Sequence, residues 1–96
     1  MAVTMIMELP AGLEDYNAIN ERMGVADDPP DGLIIHTGAV VGDKIRAVDV
    51  WESAEHFERF RDGRLNDAIA AVMGPPPDDA PAPEPEITEL INVIRG

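Results

Sequence analysis

Two residues, Gly42 and Asp43, turn the chain between two runs of strand composition, Leu33–Val41 and residues 45–52, with Lys44 leading into the second. A two-residue connection with glycine first is the geometry of a tight antiparallel hairpin. Val41 is then expected to pair with Lys44, and every other partnership in the hairpin follows. Directly opposed residues share a face. Ile35 falls opposite Val50 and Thr37 opposite Val48; with Leu33 they form an aliphatic face suited to packing under helices. The other face holds Ile34 opposite Trp51 and His36 opposite Asp49, beside Gly38, Val40, Ile45 and Ala47. It is expected to point away from the helices. A slip of one residue in the turn would exchange the two faces.

The chain on either side supplies the remaining elements. Val3–Leu9 is a short apolar strand ended by Pro10 and Gly12. Leu13, Tyr16, Ile19 and Met23 then recur at helical spacing, and Gly24 stands where a left-handed C-terminal cap belongs. Residues 27–32 are loop-forming throughout. After the hairpin, Ser53 is an N-cap type. Phe57, Phe60, Leu65, Ala68, Ile69 and Val72 mark the buried stripe of a long helix, weakened midway by Gly63 and ended by Gly74 and three prolines. Residues 75–86, rich in Pro, Asp and Ala, are expected to be an extended solvated connection. Residues 87–94 form the last strand. The order is βαββαβ, an α+β ferredoxin-like unit with two helices on one face of a four-stranded antiparallel sheet. Residues 1–96 are expected to make one such domain.

Nineteen acidic residues against seven basic ones give a net charge of −12, with Lys44 the single lysine. Such a surface repels phosphate backbones and anionic lipid, so neither nucleic acid nor membrane is expected as a partner. No cysteine is present, which excludes disulfides and thiolate chemistry. Nothing reads as a signal peptide, and no apolar stretch is long enough to span a bilayer. A bacterial, cytoplasmic protein is expected. A chain of this size buries little more than about 60% of its unfolded surface, and the sheet face without helices is too apolar for water. Face-to-face pairing of two sheets about a two-fold axis, a homodimer, is the simplest remedy.

The His36–Asp49 pair beside Trp51 is the main candidate for chemistry. Asp49 would favour the imidazolium and orient the ring, leaving His36 to act as a base or to hold a polar ligand group. Trp51, Glu8, Tyr16 and Asn92 are the candidate ligand-binding residues, with Thr4 an alternative to Glu8 depending on register. A satisfied buried pair without a ligand is the competing reading. His56, in the first turn of the second helix, reads as an exposed, ordinary residue. No metal is expected, since the two histidines are twenty residues apart and the acidic clusters lack calcium-loop spacing.

The run Val48, Asp49, Val50, Trp51, Glu52, Ser53, followed by Phe57, Glu58, Arg59, Phe60, resembles the strand-to-helix junction of dimeric α/β-barrel proteins. These are the antibiotic-biosynthesis-monooxygenase-like and stress-responsive barrel proteins. The run Gly32, Leu33, Ile34, Ile35, His36 and the stretch Glu14, Asp15, Tyr16, Asn17 are similar to the same set. The resemblance implies a homodimer with a cavity in each subunit. It includes cofactor-free oxygenases of aromatic polyketides, isomerases, haem-degrading enzymes and members without known activity. The haem-degrading members use a helix histidine as iron ligand. His56 is the sole counterpart here and its first-turn position argues against haem, so no cofactor is expected. Three functions follow: a metal-free enzyme with His36 as base, Asp49 as its orienter and Trp51 as a stacking wall; a module that holds a small hydrophobic ligand; or a structural homodimer. A cavity of a few hundred cubic ångströms beside His36 would favour the first two.

Overall fold

A computed structural model describes residues 1–74 and 84–96. The expected 75–86 connection lies outside the described residues as far as residue 83, and Glu86 already belongs to the last strand. The order is β1 (Val3–Leu9), α1 (Leu13–Met23), β2 (Leu33–Val41), β3 (Lys44–Trp51), α2 (Ala54–Phe60), a π-helical segment (Arg61–Leu65), α3 (Asn66–Met73) and β4 (Glu86–Glu89). The four strands form one antiparallel sheet in the order β2-β3-β1-β4. The architecture is the ferredoxin-like α+β one. Among the described residues no helix is long and apolar enough to cross a membrane.

Local chemistry explains the helix ends. Gly24 closes α1 at φ 68°, its N–H bonded to Asn20 O, a conformation that costs a glycine little. Ser53 caps α2, its Oγ accepting the His56 N–H at 3.2 Å. The long second helix expected from the sequence is present as α2 and α3 joined by a π-helical segment. Gly63 lies inside that segment, where its low helix propensity makes a widened turn least costly.

The hairpin register is as the two-residue turn dictates from Val41↔Lys44 through His36↔Asp49 to Ile35↔Val50. Beyond that a bulge intervenes, so that Leu33, and not Ile34, stands opposite Trp51.

The assignment of faces is corrected. The helices cover the side carrying His36, Ala47, Asp49 and Trp51, not the side carrying Ile35, Val48 and Val50. β1 decides this. Its alternate residues Val3, Met5, Met7 and Leu9 are buried and form one cluster with Ile19, Trp51, Phe57, Leu65 and Ala68. They oppose Trp51, Asp49, Ala47 and Ile45 on β3. The methionines and the indole carry more apolar area than the Ile/Val face, so their burial dominates. Asp49 is buried with them, and His36, paired to it, stays partly open to solvent. On the uncovered face Ile6, Ile35, Val48 and Val50 remain half-buried between Thr4, Thr37 and the exposed Glu8–Arg46 ion pair, 2.9 Å long.

The last strand is shorter than the sequence suggests. Pairing with β1 runs from Glu86 to Glu89, and one further bond joins Leu90 N–H to Ala2 O at 3.0 Å. β1 begins at Val3, so residues 91–94 have no strand left to pair with. Ile91 and Ile94 are accordingly about nine-tenths exposed, at 90% and 88%.

Candidate functional site

Four side chains from three elements meet in a line beneath α1. Asp49 on β3 is 5% exposed and uses both carboxylate oxygens. Oδ1 meets His36 Nδ1 at 2.5 Å, and Oδ2 accepts the Trp51 Nε1–H at 3.2 Å. On the other side of the imidazole, Nε2 lies 2.8 Å from the Tyr16 hydroxyl, which α1 lowers onto the sheet. A carboxylate only accepts, so the neutral ring carries its proton on Nδ1. Its Nε2 lone pair then accepts from the Tyr16 O–H. In the imidazolium the Nε2–H donates to the same oxygen instead. The hydrogen bond to Asp49 raises the His36 pKa; burial partly opposes this, and the carboxylate charge adds to it.

Trp51 is 1% exposed and packs against Phe57 edge-on at 5.7 Å and against Phe60 at 5.4 Å. It is at once core and cavity wall. Asp49 Oδ2 is therefore held from within the core, and among the described residues no buried side-chain polar atom lacks a partner.

Gly38 belongs to the site although the sequence reading assigned it no role. A Cβ at Gly38 would stand 2.3 Å from the Tyr16 hydroxyl oxygen and 2.9 Å from Cζ. The phenol reaches His36 because this position has no side chain. The signal was available: a glycine within a Val/Ile strand marks close approach by another group.

The line borders a cavity of about 40 Å³ between sheet and helices. Met5, Met7, Met23, Phe57 and Phe60 dominate its walls, with Tyr16, His36 and Asp49 as the ionisable groups. The volume suits water or a diatomic gas and falls short of the few hundred cubic ångströms expected for an organic ligand.

Of the sequence candidates, His36, Asp49, Trp51 and Tyr16 are brought together. Glu8 is not: it alternates to the outer face and pairs there with Arg46, whose hydrogen bond lowers its pKa. Thr4 shares that face. Asn92 is not at the site either; it lies in the exposed stretch beyond β4, because pairing ends before it. His56 is corrected from exposed to half-buried, its ring packed on Gly32.

A candidate antibiotic biosynthesis monooxygenase from Chloroflexus aurantiacus superimposes with a TM-score of 0.62 over 96% of this chain and 95% of that one, at 18% identity. SnoaB, a cofactor-independent oxygenase from Streptomyces nogalater, gives 0.63 over 96% and 95%, at 13% identity. Rv0793 from Mycobacterium tuberculosis gives 0.65 over 96% and 97%, at 12% identity. What is shared is the fold. The resemblance to antibiotic-biosynthesis-monooxygenase-like proteins thus holds over nearly the whole chain at the level of architecture. No protein-family model matches the sequence, and no curated protein matches it as a relative. Identities this low carry no residue roles across, so the chemistry rests on this chain's own side chains.

Proposed function

We propose that this protein is a cofactor-independent oxygenase or isomerase that abstracts a proton from a small aromatic or enolisable compound. The observation that carries the reading is the unbroken Tyr16–His36–Asp49–Trp51 hydrogen-bond line at the edge of an apolar cavity. Tyr16 occupies His36 Nε2, so the group offered to a substrate is the Tyr16 oxygen. A proton leaving a substrate carbon or hydroxyl goes to that oxygen as the phenolic proton passes to His36 Nε2. Asp49, held by Trp51, stabilises the imidazolium that forms. An isomerase returns the proton to another substrate atom. In an oxygenase the carbanion reduces dioxygen, and water lost from the hydroperoxide turns CH₂ into C=O. SnoaB, of like fold, is a cofactor-independent oxygenase, which supports this chemistry on this scaffold.

A cavity of about 40 Å³ accepts dioxygen as it stands. An aromatic ring requires Met5, Met7 and Met23 to move, which their unbranched side chains permit. We also propose the homodimer, through the uncovered face bearing Ile6, Ile35, Val48 and Val50. The composition, with a single lysine and many Ala, Asp, Pro and Arg residues, supports a bacterial source, and we propose a cytoplasmic setting. Oxygen uptake with an anthrone as probe tests the reading: Tyr16→Phe and His36→Gln should each lower turnover by about 10²-fold or more. Turnover equal to wild type in both variants would remove the mechanism.

The second reading is a homodimer that holds a ligand without transforming it, or is purely structural. The small cavity favours the purely structural form of it, as does the mutual satisfaction of all four polar side chains. Ligand density beside Tyr16 in crystals of protein that turns over no probe would select the holding module.

A further inference from the structure

The loop before β2 meets the junction between β3 and α2 at a second cluster, separate from the His36 line. The Glu52 N–H donates to Gly32 O at 2.8 Å and locks the two segments together. Gly32 has φ 87°, and a Cβ there would lie 2.3 Å from His56 Cγ. The imidazole therefore rests directly on the loop backbone. Ser53 Oγ holds its Nδ1 at 2.6 Å. The remaining ring nitrogen, Nε2, lies 3.8 Å from Asp31 Oδ2. One donor atom each from Asp31, Glu52 and His56 lies within 4.8 Å of the others.

From this we infer that Asp31, Glu52 and His56 form a binding site for a first-row divalent cation, with an exchangeable position open to the adjoining cavity. One imidazole nitrogen and two carboxylates are a donor set such ions accept. Bonds of about 2.0–2.2 Å in a tetrahedral site place ligands roughly 3.4 Å apart. The observed spacing closes to that with small rotations, which the exposed Asp31 and Glu52 side chains allow. With Nε2 on the metal, Nδ1–H donates to Ser53 Oγ, the outer partner that holds the ring with Nε2 turned towards the metal.

A cavity shares two of these residues. About 290 Å³ in volume and lined by Pro30, Asp31, His56, Arg59, Phe60 and Arg64, it opens beside the ring. Three protein ligands leave a position for a fourth, as in sites that exchange ligands. The two guanidinium groups favour a small anion, a carboxylate or phosphate, in that position. Within the same cavity, Arg64 is already tied to Asp28 O at 2.7 Å, which leaves Arg59 the freer of the two.

The test uses the untagged full chain, freed of metal with a chelator and titrated with Zn²⁺ by calorimetry, with NMR of both histidine rings. One equivalent should bind, shifting the His56 resonances and leaving those of His36 in place. Asp31→Asn and Glu52→Gln should each weaken binding by about tenfold or more, and His56→Gln should abolish it. No binding at millimolar zinc overturns the proposal. So does binding unchanged by Asp31→Asn and Glu52→Gln, which would mark diffuse adsorption to an acidic surface. A shift at His36 alone also overturns it. Should His56→Gln fail to fold, the two carboxylate variants, at exposed positions, still decide the matter. The outcome is independent of turnover at the His36 line.

Discussion

Gly38→Ala should disconnect Tyr16 from His36 while leaving the fold almost as stable as before. The new Cβ would stand 2.3 Å from the phenolic oxygen, whereas ordinary contact begins near 3.4 Å. The hydroxyl must retreat by about 1.1 Å. A displacement of that size opens the 2.8 Å bond to His36 Nε2 beyond hydrogen-bond range. Losing that bond at a half-exposed site costs about 0.5–1.5 kcal/mol. Alanine in place of a strand glycine returns about 0.5–1 kcal/mol by restricting the unfolded chain. The two nearly cancel, so urea unfolding should shift by under about 1 kcal/mol. The hydrogen bond itself is read by ¹⁵N shifts of the His36 ring, which should match those of Tyr16→Phe. A double-mutant cycle sharpens the comparison, because Gly38→Ala should cost less in a Tyr16→Phe background, where the clashing oxygen is absent. Additivity within about 0.3–0.5 kcal/mol, with an unchanged His36 ring, would falsify the claim that Gly38 makes room for the phenol.

Asp49→Asn should lower the His36 pKa, which NMR titration of the ring reports; an unchanged curve means the two side chains do not interact. The linked stability follows from the sign of the shift. The folded-state pKa is raised, so the extra stability is complete below about pH 6.5, the unfolded value. It is lost as pH rises through the folded pKa, and the gap between wild type and Asp49→Asn should narrow over that range. Any turnover that needs neutral His36 should rise over the same window. Val48→Asp, on the uncovered face, should halve the mass seen by sedimentation at micromolar concentration; a wild type that already sediments as a monomer refutes the homodimer. Phe57→Ala, at a 0% exposed position, should cost about 3–5 kcal/mol in urea unfolding; a loss below about 1 kcal/mol would contradict the core described above.

Much of the fold was legible because its signals are local. The Gly42–Asp43 turn sets the hairpin register through a glycine at φ 61°, and register alone places His36 against Asp49. Ser53 and Gly24 marked helix ends for the same reason: capping is a matter of a few neighbouring atoms. Period-two patterning says which residues share a face, and it named Trp51 as the companion of Asp49.

Patterning within one hairpin cannot say which face the helices will cover. That choice was made by β1, whose Met5 and Met7 come to stand opposite Asp49 and Ala47 only when the sheet assembles. Burial is a property summed over the whole sheet. Glu8 and Asn92 fell away from the site for kindred reasons, one by alternation to the far face and the other because β1 is too short to pair so far along β4. Tyr16 over Gly38, and Asp31 beside Glu52 and His56, bring together residues twenty or more positions apart in the chain. The sequence by itself determined the order of the elements, the hairpin register from Val41 back to Ile35 and the His36–Asp49 pair, because these depend on near neighbours. Only the tertiary structure set that pair beneath a helix and closed the phenol onto it, because contacts across elements exist only once the chain has packed.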